Sequence, residues 1–187
     1  RETPVCTAAD AIYKLAAGNL KYLNAENGSG DISRRIRMST CEGPVALRHH
    51  RHLFGFPGHP GEHLLGGIGE LFVIRLAGNI IDDHQLGSIE YAAGHLGCRL
   101  VVVLGHTHCG AVMPPSTTNP PAYPLHHGRD QEGHREETDP YKASCLNVRH
   151  SVQEIEKSLC IHNIEEETGL RVVGAMYHIE DGSVEFL

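Results

Sequence analysis

A run of five large aliphatic residues, Leu100 to Leu104, constrains the fold of this chain more than any other feature. An unbroken apolar run of this length, rich in β-branched residues and closed by Gly105, predicts a parallel strand buried on both faces. His106 and Cys109 then leave the carboxyl end of that strand, the edge at which open α/β sheets bind their ligands. Zinc accepts both an imidazole and a thiolate. The run therefore predicts an α/β fold with a metal site at this edge, for which further ligands must be found.

The remaining periodic segments extend the α/β prediction over most of the chain. Apolar spacing predicts helices over Thr7 to about Asn24, Asp83 to Leu96 and Tyr141 to Leu159, a short buried strand over Leu71 to Arg75, and a hairpin of Leu170 to Ile179 with Ser183 to Leu187. Thr7 and Asp10 have the spacing of a helix-capping pair. At 187 residues, the whole chain (residues 1–187) is expected to form one domain with a sizeable core.

Composition excludes several classes of partner. The net charge is −7 and no basic stripe is present, which argues against nucleic acid and against anionic membrane surfaces. No apolar run approaches the roughly 18 residues of a membrane span. The six cysteines are scattered through a chain that is large enough to fold without disulfides. We therefore expect unpaired thiols, a reducing compartment and a cytoplasmic location.

Two windows, residues 44–61 and 113–135, do not fit this pattern. Together they hold eight of the ten prolines and seven of the fifteen histidines. Neither window shows a period of 2 or of 3.6 residues. Structureless loops of this length are uncommon inside a compact domain, so both windows are treated as anomalous.

Three segments resemble the β-class carbonic anhydrases. They are RLAGNIIDDHQLGSIEYAAGHLGCRLVVVLGHTHCGAV (residues 75–112), ETDPYKASCLNVRHSVQEIE (residues 137–156) and LRVVGAMYHIEDGSVEFL (residues 170–187). With the N-terminal helix and GDISRRIR, the resemblance covers roughly three-quarters of the chain, and Gly-His-Thr-x-Cys-Gly after an apolar strand is highly specific to the family. It implies a central, mostly parallel sheet flanked by helices, with an N-terminal helical arm.

The resemblance also implies an activity and a cofactor. Members of the family are zinc-dependent carbonate dehydratases (lyases) that hydrate carbon dioxide reversibly to bicarbonate. Two Cys and one His hold their zinc, and His106 and Cys109 match two of these ligands. Family members form homodimers or higher homo-oligomers, with the N-terminal helix lying across the partner, so a homo-oligomer is expected here. A small-molecule substrate is expected, without nucleic acid or membrane as a partner.

The first zinc Cys and an Asp-Arg pair come, in the family, from a Cys-x-Asp-Ser-Arg motif that this chain lacks. The usual spacing before Arg75 places the motif's Cys at Leu53, inside the first anomalous window. Residues 53–60 can be encoded so that the shifted frame reads CSDSRVI, and residues 48–52 so that it reads VITVI. We therefore interpret both windows as out-of-frame translations, a hypothesis that the nucleotide sequence tests. On this interpretation the written first window should not form the central strand, since Pro44, Pro57 and Pro60 are not tolerated there.

Several alternatives stay open at the level of the sequence. The chain is either an active hydratase, a related hydrolase of carbonyl sulfide or carbon disulfide, or a catalytically impaired relic. Catalytic residues other than the metal ligands are unknown. Replacement ligands would have to come from Cys41, His49, His50, His52, His59 or His63. Asp82 and Asp83 precede a helix and are interpreted as N-terminal capping residues rather than an acid–base pair. Gly78 and Asn79 are interpreted as a tight backbone passage near the metal pocket.

Overall fold

The computed structural model describes residues 6–24, 52–54, 70–109, 111–112 and 137–187. Five strands form one sheet: β1 (His52–Phe54), β2 (Leu71–Val73), β3 (Leu100–His106), β4 (Arg171–Tyr177) and β5 (Val184–Phe186). Their order is β2-β1-β3-β4-β5, and every neighbouring pair is parallel except the antiparallel pair β4–β5. The predicted α/β class, with a mostly parallel central sheet, is confirmed.

Within the described parts of the chain, four α-helices cover the two faces of this sheet. They are α1 (Ala8–Leu23), α2 (Asp83–Gly94), α3 (Pro140–Glu156) and α4 (Leu159–Thr168). Alternate residues of β3 enter two separate apolar clusters: Val101 and Val103 pack with α2, α3 and α4. Leu100, Val102 and Leu104 pack with α1 on the opposite face. Because both faces are covered, β3 needs an unbroken apolar run, as the sequence predicted.

Helix starts agree with the capping signals in the sequence. The Thr7 hydroxyl accepts from the backbone N–H of Asp10, whose carboxylate accepts from the backbone N–H of Thr7. Asp82 caps α2 by accepting from the backbone N–H of His84 at 2.8 Å. These bonds satisfy N–H groups that have no partner inside the helix. The capping interpretation of Thr7 and Asp82 is confirmed.

Two predicted elements need correction. The helix predicted over Tyr141 to Leu159 ends at Glu156. A second helix, α4, which the sequence did not predict, begins at Leu159, where the Ser158 side chain caps it by accepting from the backbone N–H of Ile161 at 3.2 Å. The strand predicted over Leu71 to Arg75 ends at Val73, which is 40% exposed since β2 lies at the edge of the sheet.

We expected from the sequence that the first anomalous window would not form an interior strand of the sheet, and this expectation is wrong for residues 52–54. These residues form β1, which pairs in parallel with β2 on one side and with β3 on the other. Pro44, Pro57 and Pro60 lie outside the described residues. Within the described ranges, no helix has both the length and the apolar character needed to cross a bilayer.

Candidate metal centre

The two predicted ligands lie at the carboxyl edge of the sheet. His106 is the last residue of β3, and Cys109 follows it after a two-residue turn. Both residues are buried, with exposed fractions of 9% for His106 and 5% for Cys109. β3 is flanked by β1 and β4, so the pair stands in the interior of the sheet rather than at its side. This is where ligands bind in open α/β sheets.

The imidazole of His106 is held in one tautomer. Its Nδ1 lies 2.8 Å from the carbonyl oxygen of Thr107. Because a carbonyl oxygen only accepts hydrogen bonds, Nδ1 carries the proton in this contact. Nε2 is left with the lone pair, which is the state that a metal ligand requires.

His106 and Cys109 also shift each other's protonation. The hydrogen bond with Cys109 raises the pKa of His106 against the opposing effect of burial. Burial by itself would raise the pKa of the Cys109 thiol, but the hydrogen bond and charge of His106, together with hydrogen bonds from the backbone N–H groups of Ala111 and Val112, lower that pKa overall. The hydrogen bond therefore couples the protonation of the two side chains. A buried thiol that deprotonates readily next to a fixed imidazole is a donor pair that fits zinc.

The strand that carries His106 is packed closely by α3. A β-carbon placed on Gly105 would lie 2.5 Å from Val148 Cγ2 and 2.8 Å from Met176 Sδ. One placed on Gly174, in the neighbouring strand β4, would lie 2.8 Å from Val148 Cγ1. The two glycines thus form the seat for Val148, which is fully buried. This packing explains why a glycine precedes His106.

The segment that contains Gly78 and Asn79 lies near Gly105 and is held by α3. Gly78 and Asn79 both adopt positive φ, at 71° and 51°. Their carbonyl oxygens accept from Asn147 Nδ2 and from Ser151 Oγ, each at 2.6 Å. The tight backbone passage predicted at Gly78 and Asn79 is confirmed. The sequence does not predict these roles of Asn147 and Ser151. Their backbone partners lie 69 and 72 residues away in the chain, and the type of a polar helix residue does not indicate such a distant partner.

The described residues bring two candidate ligands together and no third. Among them, no group of three or more His, Cys, Asp or Glu side chains could hold a metal ion. Cys41, His49, His50, His59 and His63 lie outside the described residues. His52 in β1 is aligned with Leu100 in β3. Leu100 precedes His106 by six residues, which at about 3.3 Å per residue places His52 roughly 20 Å from the level of His106 along the strands. The backbone register therefore does not bring His52 to the pair.

The same register bears on Leu53. Leu53 is aligned with Val101, five residues before His106, or roughly 16 Å away along the strand direction. The position that the spacing argument assigned to the family's first zinc Cys is therefore not level with the pair in this structure.

His108 lies in the turn between the two candidate ligands, whereas five further histidines of the described residues have other surroundings. His84 is exposed and His95 stacks on Tyr91. The remaining three each lie near a glutamate: His150 near Glu154, His162 near Glu166 and His178 near Glu185.

Comparison with known proteins agrees with this fold. The family model described as carbonic anhydrase matches residues 60–184. A carbonic anhydrase of Mycolicibacterium smegmatis is 30% identical over 189 residues, covering 91% of this chain and 89% of that protein. The crystal structure of the β-carbonic anhydrase CafA of Aspergillus fumigatus has a TM-score of 0.63 and 25% identity, with 96% of this chain and 89% of that chain covered. Tetrameric β-carbonic anhydrase from Sordaria macrospora has a TM-score of 0.57 at 21% identity, covering 96% and 91%.

The fold and the site thus define an α/β protein with a buried His–Cys donor pair at the carboxyl end of its central strand. The chain belongs to the β-class carbonic anhydrases, a family of carbonate dehydratases.

Proposed function

We propose that this protein is a zinc-dependent enzyme that hydrates carbon dioxide reversibly to bicarbonate, with His106 and Cys109 as two of its zinc ligands. The observation that carries the proposal is the buried pair itself, a fixed imidazole hydrogen-bonded to a thiol of lowered pKa. When bound, zinc supplies a hydroxide at neutral pH, because it lowers the pKa of its water to about 7.

The chain's own residues prepare this site in three ways. The Thr107 carbonyl fixes the proton of His106 on Nδ1, so that Nε2 is presented as the donor atom. Burial of His106 and Cys109 keeps bulk water from competing for the two donor atoms. Val148, seated on Gly105, fixes the end of β3 and so the position of His106.

A catalytically impaired protein is the second candidate. It is supported by the donor count, since the described residues bring two ligands together where the family resemblance implies three. An impaired protein would hold zinc weakly and hydrate carbon dioxide slowly. The two candidates therefore differ in zinc content as well as in rate.

The experiment combines zinc analysis with stopped-flow measurement of carbon dioxide hydration on purified protein. We expect about one zinc ion per chain and zinc-dependent hydration in the unmodified protein. Cys109→Ser should lose most of both, because a hydroxyl is a much poorer zinc ligand than a thiolate. Cys160→Ser is the matched control, since Cys160 is exposed on α4 and should keep both zinc and activity.

Each result separates the candidates. Zinc retained in full by Cys109→Ser would contradict the assignment of Cys109 as a ligand. Substoichiometric zinc with no zinc-dependent hydration in the unmodified protein would favour the impaired relic.

We also propose that the chain forms a homodimer or a higher homo-oligomer and that it is cytoplasmic. Assembly is supported by the tetrameric relative and by Tyr13 and Leu20 on α1, which are 77% and 59% exposed. Size-exclusion chromatography with light scattering tests the assembly, and a monomeric mass at all protein concentrations would contradict it. A reducing compartment is supported by the absence of any disulfide among the cysteines that the structure describes.

A further inference from the structure

We propose that Glu180 is a positioning residue that holds the turn between His106 and Cys109 in the conformation that brings the two donors together. The inference rests on the proposed function and names a residue that supports its metal site. Glu180 Oε2 accepts from Thr107 Oγ1 at 2.8 Å, and its Oε1 lies 2.7 Å from His108 Nε2. One carboxylate therefore contacts both residues that separate the two ligands.

The turn between the ligands needs such a support. His108 has a φ of 56°, in the left-handed region that residues with a β-carbon seldom adopt. A strained backbone of this kind persists only where its surroundings hold it. Thr107 is buried and tied to the sheet by its backbone N–H, which donates to the Tyr177 carbonyl at 3.0 Å. His108 is exposed, and Glu180 is the partner that holds its side chain.

Glu180 is itself placed firmly enough to act in this way. It lies in the connection between β4 and β5, where the backbone N–H of Ile179 donates to Thr107 Oγ1 at 3.0 Å. Asn19 of α1 ties down the same connection. Its Nδ2 donates to the Gly182 carbonyl at 2.9 Å, and its Oδ1 accepts from the Val184 N–H at 3.1 Å. The carboxylate thus projects toward the ligand turn from a connection fixed on two sides.

The side chain of Glu180 adds little to the apolar core. It is 54% exposed and belongs to neither apolar cluster. Its carboxylate contacts Thr107 and His108, which both lie in the turn between His106 and Cys109. Removal of the carboxylate should therefore loosen the turn and leave the sheet folded, which separates positioning from general stability.

The test compares Glu180→Ala with Asp181→Ala, a matched control in the same connection. The Asp181 carboxylate instead accepts from the backbone N–H and the hydroxyl of Ser183, at 2.8 and 2.7 Å. One readout is zinc affinity by competition with a chelating dye. The other is the rate at which iodoacetamide alkylates Cys109 in zinc-free protein, followed by peptide mass mapping.

For Glu180→Ala we expect the zinc dissociation constant to rise about 10- to 100-fold, the usual effect of losing a residue that orients metal ligands. Alkylation of Cys109, which is buried in the intact protein, should become several-fold faster. Asp181→Ala should match the unmodified protein in both readouts. Glu180→Gln keeps the length of the side chain and an acceptor for Thr107, so it should fall between the two; it also serves if Glu180→Ala does not fold.

Unchanged zinc affinity and unchanged Cys109 alkylation in the Glu180 variants would overturn the inference. Equal changes in Asp181→Ala would overturn it too, because the effect would then come from the β4–β5 connection as a whole. If the unmodified protein binds no zinc, the proposed function fails by itself, and the alkylation rates still decide whether Glu180 positions the turn.

Discussion

Replacement of Gly105 by alanine tests the account of how the metal-site strand is packed. The new methyl carbon would lie 2.5 Å from Val148 Cγ2 and 2.8 Å from Met176 Sδ, far inside normal contact distance. The Met176 side chain is flexible and can move aside, but Val148 is stiff and fully buried on α3. Overpacking of this kind costs about 1–3 kcal/mol of folding free energy.

Urea denaturation followed by circular dichroism measures this loss. Gly87→Ala is the matched control, because Gly87 lies inside α2 and a β-carbon there would meet nothing within 4 Å. The control should be stabilised by about 0.5–1 kcal/mol, since alanine costs less than glycine in a helix. Opposite signs for the same substitution would show that the site, and not the residue type, decides the effect.

A double mutant identifies Val148 as the cause. Val148→Ala alone should cost about 2–3 kcal/mol, from about 0.8 kcal/mol for each buried carbon removed plus the cavity that remains. The cavity makes room for the new methyl group on Gly105, so the double variant should lose about 1 kcal/mol less than the sum of the single losses. Strict additivity, or a Gly105→Ala protein as stable as the unmodified one, would refute the packing argument.

Two further predictions concern the helix starts. Thr7→Ala should destabilise the protein by about 1 kcal/mol in urea denaturation, because it removes the N-cap of α1. Thr7→Ser keeps the capping hydroxyl and should keep most of the stability. Equal losses of stability in the two variants would contradict the capping account. The backbone N–H of His84 and, to a smaller extent, that of Gln85 hold the pKa of Asp82 below its ordinary value. A carboxyl group whose pKa is lowered by folding stabilises the protein at pH values above its unfolded-state pKa of about 3.9. This stabilisation is lost as the pH falls through the pKa of the folded state. In urea denaturation, the free energy of unfolding should therefore fall less between pH 5 and pH 3 for Asp82→Asn than for the unmodified protein. An equal fall in both proteins would refute the proposed contribution of Asp82.

Local signals in the sequence predicted the elements that depend on local interactions. The run from Leu100 to Leu104 is apolar at every position, which a strand needs when both of its faces are covered. Thr7 and Asp82 precede their helices at the spacing that capping requires. The sequence prediction did not include α4, whose start is fixed by the hydrogen bond from the backbone N–H of Ile161 to the Ser158 side chain.

The donor pair was predictable for the same reason. His106 and Cys109 are three residues apart and follow directly on a strong strand, so their proximity requires only a tight turn. The turn's supports were not predictable. Glu180 lies 72 or 73 residues further along the chain, in a segment whose residues 180–182 the sequence identified only as a hairpin connection.

The sequence by itself determined the family, the strand β3 and two candidate metal donors, since these rest on residue identity and on contacts between near neighbours in the chain. Only the tertiary structure decided that β1 lies between β2 and β3, that Val148 seats on two glycines, and that Glu180 contacts the ligand turn. Each of these depends on which distant segments pack together. That choice is made by the burial of apolar surface summed over the whole sheet, and no local pattern records it.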